Sequence, residues 1–246
     1  RSPEQAVQTN INGVQNVISA ANINDVKVVI FTSSDKAVNP TNVMGTTKLM
    51  GERLMTAANS NQRGKGPIFA STRFGNVLGS SGSVVPIFYN QIIKGGPVTL
   101  TDKNMTRFVM SVKESVNLVL SSVVNAKGGE VFVTKMPVMR IEDLAMAMIE
   151  EVSSADIKIL EIGIKPGEKL YEELMNSEEV SRAIELEKFF SILPAFRGVY
   201  SDINYNYSKI VTKKVVDPYV SELQNSLTVS EIKKFLNENK LLGEKT

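Results

Sequence analysis

The 246-residue chain contains no cysteine and no histidine. Without a thiol there is no thiolate nucleophile and no disulfide. Without imidazole there is no Ser-His-Asp machinery, no zinc site of the common kinds and no usual general base. Acid–base work must therefore fall to Asp, Glu, Lys or Tyr. The lack of cysteine is compatible with the cytoplasm without establishing it. No apolar run reaches the roughly 18 residues that a membrane span needs, and no signal-peptide pattern opens the chain, so it reads as soluble. The net charge is only +2, which carries no sign of a nucleic-acid partner.

With 42% hydrophobic and 22% charged residues, the chain has enough apolar material for one large domain or two small ones. Its organising stretch is VVIFTSSDKAVNPTNVMGTTK, residues 28–48. A β-branched and aromatic run predicts a strand that breaks at Ser33-Ser34-Asp35-Lys36. Asn39-Pro40 forbids direct continuation into a helix, which restarts near Thr41-Asn42. Met44 and Lys48, four apart, share a face of that helix. In open α/β sheets ligands sit beyond the carboxyl ends of strands, so a hydroxyl, a carboxylate and an amine at this corner are well placed for chemistry.

Upstream, Ser2-Pro3-Glu4 is a helix-start pattern, and Ala6, Ile11, Val14, Val17, Ile18 and Ala21 recur at helical spacing, so residues 2–21 are expected to form an amphipathic helix. Downstream, the pattern predicts a helix over 43–58, a polar loop over 59–67 and a strand over 68–74. A helix over 85–94 is stopped by Gly95-Gly96-Pro97, and 98–108 reads as two extended pieces around a turn. Ser111-Val112-Lys113-Glu114 and Thr228-Val229-Ser230-Glu231 are capping boxes, the first opening a helix that runs to 126. Between them lie a strand over 130–134, an amphipathic helix over 141–152 whose methionines read as core filling, and a strand over 157–164. Residues 176–207 carry no chemical signal.

A Ser or Thr at a strand's end, followed on the next helix by Y-x-x-x-K, is the signature of the short-chain dehydrogenase/reductase superfamily. The string SSDKAVNPTNVMGTTKLMGERL closely resembles its extended members that act as UDP-N-acetylglucosamine 4,6-dehydratases in bacterial surface-polysaccharide synthesis. Met44 stands where the tyrosine is expected, as in several long dehydratases of that group. The resemblance implies an α/β fold: the C-terminal part of a Rossmann-type parallel sheet with a smaller α/β substrate-binding region. Residues 1–140 would be a partial NAD-binding domain carrying the catalytic corner. Residues 141–246 would form the sugar-nucleotide region and the terminal helices, with 80–108 contributing to it.

The resemblance also implies roles. NAD⁺ removes hydride from C4 of the sugar, water leaves across C5 and C6, and the hydride returns to C6. Lys36 is then the C5 base, Asp35 the acid at the C6 hydroxyl and Ser34 a hydrogen-bond partner of the C4 oxygen. Lys48 holds the nicotinamide ribose, and Ser33, Phe74 and Gly75 border the cofactor. Met44 cannot exchange a proton, so the C4 hydroxyl proton is expected to leave by Asp35 or a water ordered by Lys48. Asn76, Ser83, Val84, Thr106, Arg107 and Glu168 are implied as contacts to a UDP-sugar, UDP-N-acetylglucosamine or a relative. Arg107 is assigned to phosphate because its planar fork matches such oxygens. The family often has arginine at the positions of Ser81 and Lys165. Asn10 and Gly13 resemble the helix before the catalytic strand, where plain packing is the competing reading. A cytoplasmic homo-oligomer is expected, at the membrane's cytoplasmic face if helices precede this chain. No metal site is expected.

The Gly-rich turn that lays a pyrophosphate on a helix N-terminus is missing. Nothing upstream of Val28 supplies it, and Gly75, Gly79 and Gly82 have the wrong spacing. The chain is therefore expected to be the C-terminal part of a longer protein and, alone, to turn over little. Two alternatives stay open: a UDP-sugar epimerase or reductase of the same superfamily, and a non-catalytic sugar-nucleotide-binding remnant.

Overall fold

In the computed structural model, which describes residues 2–61, 66–80, 82–164, 167–195 and 203–242, the first helix continues to Ile23 in three pieces. These are α1 (Pro3–Val7), a π-helical turn at Gln8–Asn12, and α2 (Gly13–Ile23). Strand β1 (Val28–Ser34) does not break at Ser33 as expected. It pairs in parallel with β2 (Ile68–Phe74) along its whole length, including Ser33 with Arg73 and Ser34 with Phe74. Backbone pairing, not side-chain propensity, carries the strand through its polar end.

The residues fall into two compact units that interleave in sequence, where the sequence reading divided the chain once, near residue 140. The first comprises 1–74, 116–135 and 173–219. Its six-stranded sheet has the order β1, β2, β6 (Val131–Thr134), β11 (Phe189–Ile192), β10 (Ala183–Leu186), β12 (Ile210–Thr212). The first three strands are parallel and the last three antiparallel. The antiparallel half comes largely from the stretch that carried no chemical signal. Helix α3 (Val43–Asn61) packs on β1 and β2, where Met55, Phe69 and Ala21 form a buried cluster with Phe31 against it. Gly51 permits this approach, because a Cβ there would lie 2.4 Å from the Phe31 ring.

The second unit comprises 75–115, 136–172 and 220–246. It holds a small sheet of β3 (Asn76–Val77), β5 (Thr106–Met110) and β7 (Val138–Arg140), and the parallel pair of β4 (Val98–Leu100) with β8 (Ile159–Glu161). Strand β8 is shorter than expected, and Ile157 instead joins the core. Helices α4 (Val84–Ile93), α6 (Ile141–Val152) and α8 (Val229–Glu238) bury Phe88, Leu144, Met148, Ile232 and Leu236 in that core. Helix α5 (Val112–Asn125) opens on the expected capping box, with Glu114 accepting from Ser111 N at 2.7 Å. The box at Thr228 and Glu231 also forms. In the first unit a further short strand, β9 (Glu173–Met175), leads into the helical turn α7 (Ser177–Val180). Among the described residues no helix is long and apolar enough to cross a membrane.

Candidate active site

The corner after β1 is one 3₁₀ turn, Asp35–Ala37. Ser34 caps it, its hydroxyl accepting from Lys36 N at 3.3 Å, and Val38 N donates back to Asp35 O at 3.0 Å. Asp35 is buried, and Lys36 Nζ reaches back to both of its carboxylate oxygens at 3.2 Å. The chain leaves through Asn39 at φ +45°, a conformation asparagine tolerates, and the Asn39 amide donates to both oxygens of Glu173. Asn42 then starts α3 by accepting from Gly45 N at 3.0 Å.

Helix α3 sits directly on this corner. A Cβ on Gly45 would lie 2.1 Å from Lys36 O, so only glycine lets the helix come so close. Lys48, half-buried one turn further on, donates to Thr32 O at 2.9 Å and stands over the Phe31 ring at 5.0 Å. Burial lowers its proton affinity, and the Glu52 carboxylate partly opposes that. Met44 is exposed. Its sulfur lies 3.4 Å from the amide of Asn10, which also donates to Thr47 Oγ1 at 3.0 Å. Asn10 sits in the π-helical turn, a feature found disproportionately at functional sites. Ser33 is buried on β1 with a hydroxyl that has no partner among the described residues. The structure thus brings Ser34, Asp35 and Lys36 into one turn, and places Met44 and Lys48 on the helix packed against it.

Phe74 ends β2. In the second unit, a Cβ on Gly75 would meet Phe108 O and Met136 Sδ at 2.8 Å, and Asn76 donates to Phe108 O at 3.2 Å. Asn76, Ser83, Val84, Arg107 and Glu168 line one cavity of about 460 Å³. Its walls are largely apolar, with Phe88, Ile141 and Leu144 among them. The Ser83 hydroxyl is buried there without a partner among the described residues. Arg107 donates to Lys169 O at 2.8 Å and Thr106 O at 2.7 Å, and pairs with Glu172 at 3.2 Å. Thr106 is not among the residues lining that cavity, and its hydroxyl lies 2.8 Å from that of Ser221. Ser81 and Lys165 lie outside the described residues. Among the described residues no group of three acidic side chains is placed to hold a metal ion.

Sequence reasoning missed Arg73, Glu52 and Glu179, a fully buried ion cluster beside Lys48's helix. A sequence signal existed for Glu52, which follows Lys48 by four and so shares its face. Glu179 shows only as the fourth residue of an N-x-x-E capping box, which forms with Asn176.

The profile of the polysaccharide biosynthesis protein family matches residues 1–194. A protein of Methanocaldococcus jannaschii, described as an uncharacterized membrane protein, is 47% identical over 243 residues, covering 96% of this chain and 69% of that protein. A UDP-N-acetylglucosamine 4,6-dehydratase (inverting) of Campylobacter jejuni is 41% identical over 234 residues, with 94% and 69% covered. A UDP-glucose 4-epimerase of Rickettsia canadensis is 40% identical over 237 residues, with 95% and 68% covered. The crystal structure of Pen from Bacillus thuringiensis superimposes with a TM-score of 0.86 at 43% identity, over 98% of this chain and 70% of that one.

Proposed function

The chain belongs to the polysaccharide biosynthesis protein family, and within it we propose that it serves the NAD-dependent dehydration of a UDP-N-acetyl-hexosamine to the 4-keto-6-deoxy sugar. The observation that carries this reading is the ion-paired Asp35–Lys36 turn at the carboxyl end of β1. Elimination across C5 and C6 needs a base and an acid at adjacent carbons, each within about 3 Å of the atom it serves. Two consecutive residues of a 3₁₀ turn supply that pair. In the ion pair the lysine holds the proton and the aspartate the negative charge, so the elimination requires that proton to cross the 3.2 Å contact first: the neutral Lys36 amine then takes the C5 proton, the Asp35 acid protonates the departing C6 hydroxyl, and Ser34 steadies the C4 oxygen. Met44 carries no proton, so it takes no acid–base part.

NAD is the cofactor of this reading, and at the nicotinamide end the residues fit it. Ser33 has a buried hydroxyl without a partner among the described residues, and Lys48 offers an ammonium for ribose hydroxyls. When bound, it supplies the redox chemistry at C4 that acidifies the C5 proton. The sequence contains no strand, glycine turn and helix for the pyrophosphate, so these 246 residues alone are proposed to bind it weakly. The cavity of the second unit is assigned to the nucleotide: apolar walls for the base, Ser83 and Arg107 for oxygens, and Glu168 for a ribose hydroxyl. The assembly is proposed to be a homo-oligomer acting in the cytoplasm.

A second reading, a UDP-sugar 4-epimerase, is favoured by the Rickettsia relative's name. Incubation of the full-length protein with UDP-N-acetylglucosamine separates the two. Loss of one water from the product supports the dehydratase, whereas an isomer of unchanged mass supports the epimerase.

A further inference from the structure

Lys48 and Glu52 stand at i and i+4 on α3, a spacing that ordinarily lets an ammonium and a carboxylate pair across one turn. Here they do not pair. Lys48 donates to Thr32 O, and among the described residues no carboxylate is bonded to it. Glu52 is instead turned inward, 1% exposed, and taken by one edge of Arg73: Nε donates to Oε1 at 2.9 Å and Nη2 to Oε2 at 2.8 Å. Arg73 is itself 1% exposed and uses its remaining donors on Glu179, at 2.8 and 2.7 Å, and on Leu174 O at 2.9 Å. All five of its N–H groups are thus engaged, so the fork cannot swing without breaking charged bonds in a buried site.

We infer that Glu52 is a positioning residue for Lys48: the Arg73 fork holds its carboxylate away from the ammonium, which among the described residues hydrogen-bonds to the Thr32 carbonyl only and keeps its other N–H groups for a ligand's hydroxyls. An ammonium bonded directly to Glu52 would be drawn along the helix, away from the end of β1. At its present distance the carboxylate still offsets part of what burial takes from Lys48's charge. Other ionisable groups on the elements packed against α3 are Glu4 on α1, Asp35 and Lys36 in the 3₁₀ turn and Arg73 on β2, with Arg53 on α3 itself. Among charged groups, Glu52 is the one that bears on Lys48's proton affinity.

The inference rests on the proposed reading only for what Lys48 touches, so its test reads Lys48 without substrate or cofactor. The protein is labelled with ¹³C at the lysine Cε, Lys48 is assigned by the signal lost in Lys48→Arg, and its titration is followed by NMR. In the unaltered protein Lys48 titrates below the exposed lysines. In Glu52→Gln its midpoint falls further, because a supporting charge is gone. In Arg73→Lys it rises, because a carboxylate freed from the fork turns onto the ammonium. A purely structural cluster does not produce shifts of opposite sign from its two members. A midpoint in the unaltered protein at or above those of exposed lysines overturns the inference. So does a folded Glu52→Gln whose midpoint is unmoved, or a folded Arg73→Lys whose midpoint fails to rise. Should a variant not fold, the unaltered protein's midpoint still decides. Failure of the dehydration assay leaves this result standing, and the reverse also holds.

Discussion

Lys36 Nζ lies 3.2 Å from both oxygens of Asp35, whose side chain is 2% exposed against 45% for the lysine. A buried carboxylate is thus reached from the solvent side by its sequence neighbour, at the position where ligands sit in parallel α/β sheets. If these are the acid and the base of an elimination, Lys36→Met and Asp35→Asn should each reduce dehydration by about 10²-fold or more. The stage lost should differ. Lys36→Met should still oxidise C4 in a single turnover and then stall. Asp35→Asn should also slow C4 oxidation if the aspartate carries the C4 hydroxyl proton, and unchanged oxidation would assign that proton to another group.

Gly45→Ala should damage the corner more than an average helix substitution, although alanine is the better helix former. The added Cβ falls 2.1 Å from Lys36 O, which is backbone and cannot rotate away. Overpacking of this kind costs about 1–3 kcal/mol or more. Urea denaturation should show that loss, and activity should fall with it because the helix moves off Lys36.

Most of the elements were legible before the structure. Strand β2 was read to the residue, and both capping boxes formed as their spacing required. What was not legible depended on contacts distant in sequence. Ser33 and Ser34 read as the break after a strand until β2 pairs with them, and nothing in the sequence sets the Thr106 hydroxyl beside that of Ser221. Strands β9 to β12 are only three or four residues long, too short for periodicity to distinguish. The corner proposed for catalysis could be read because Ser34, Asp35 and Lys36 are consecutive. The buried partners of Arg73 could not, because they stand 21 and 106 positions away.

Arg107→Lys should weaken UDP-sugar binding severalfold while preserving the fold. Lysine keeps the charge but loses the planar fork that donates to Lys169 O and Thr106 O and also matches phosphate oxygens. Calorimetry with UDP reads this directly. Unaltered affinity would remove Arg107 from the nucleotide site.

Glu130 is fully buried, and burial raises its proton affinity above the ordinary value near 4.5, against the pull of hydrogen bonds from Lys127 N, Gly128 N and the Tyr207 hydroxyl. A carboxyl that holds its proton more tightly when folded contributes stability that is complete below the unfolded value and is lost as pH rises through the folded one. Stability should therefore decline as pH increases from about 4.5. Tyr207→Phe removes one donor to Glu130 and should steepen that decline, at a cost of about 1–3 kcal/mol near neutrality. Denaturant midpoints across pH 4 to 8 for the two proteins measure it. Parallel profiles would show that the Tyr207 hydroxyl does not bear on Glu130.

The most direct test of the central claim is the mass and deuterium content of the product when the full-length protein is given NAD and UDP-N-acetylglucosamine in deuterated water. Dehydration assisted by Lys36 predicts a product lighter by one water, with deuterium at C5. A product of unchanged mass, inverted at C4 and free of deuterium, would contradict that reading and make the protein an epimerase.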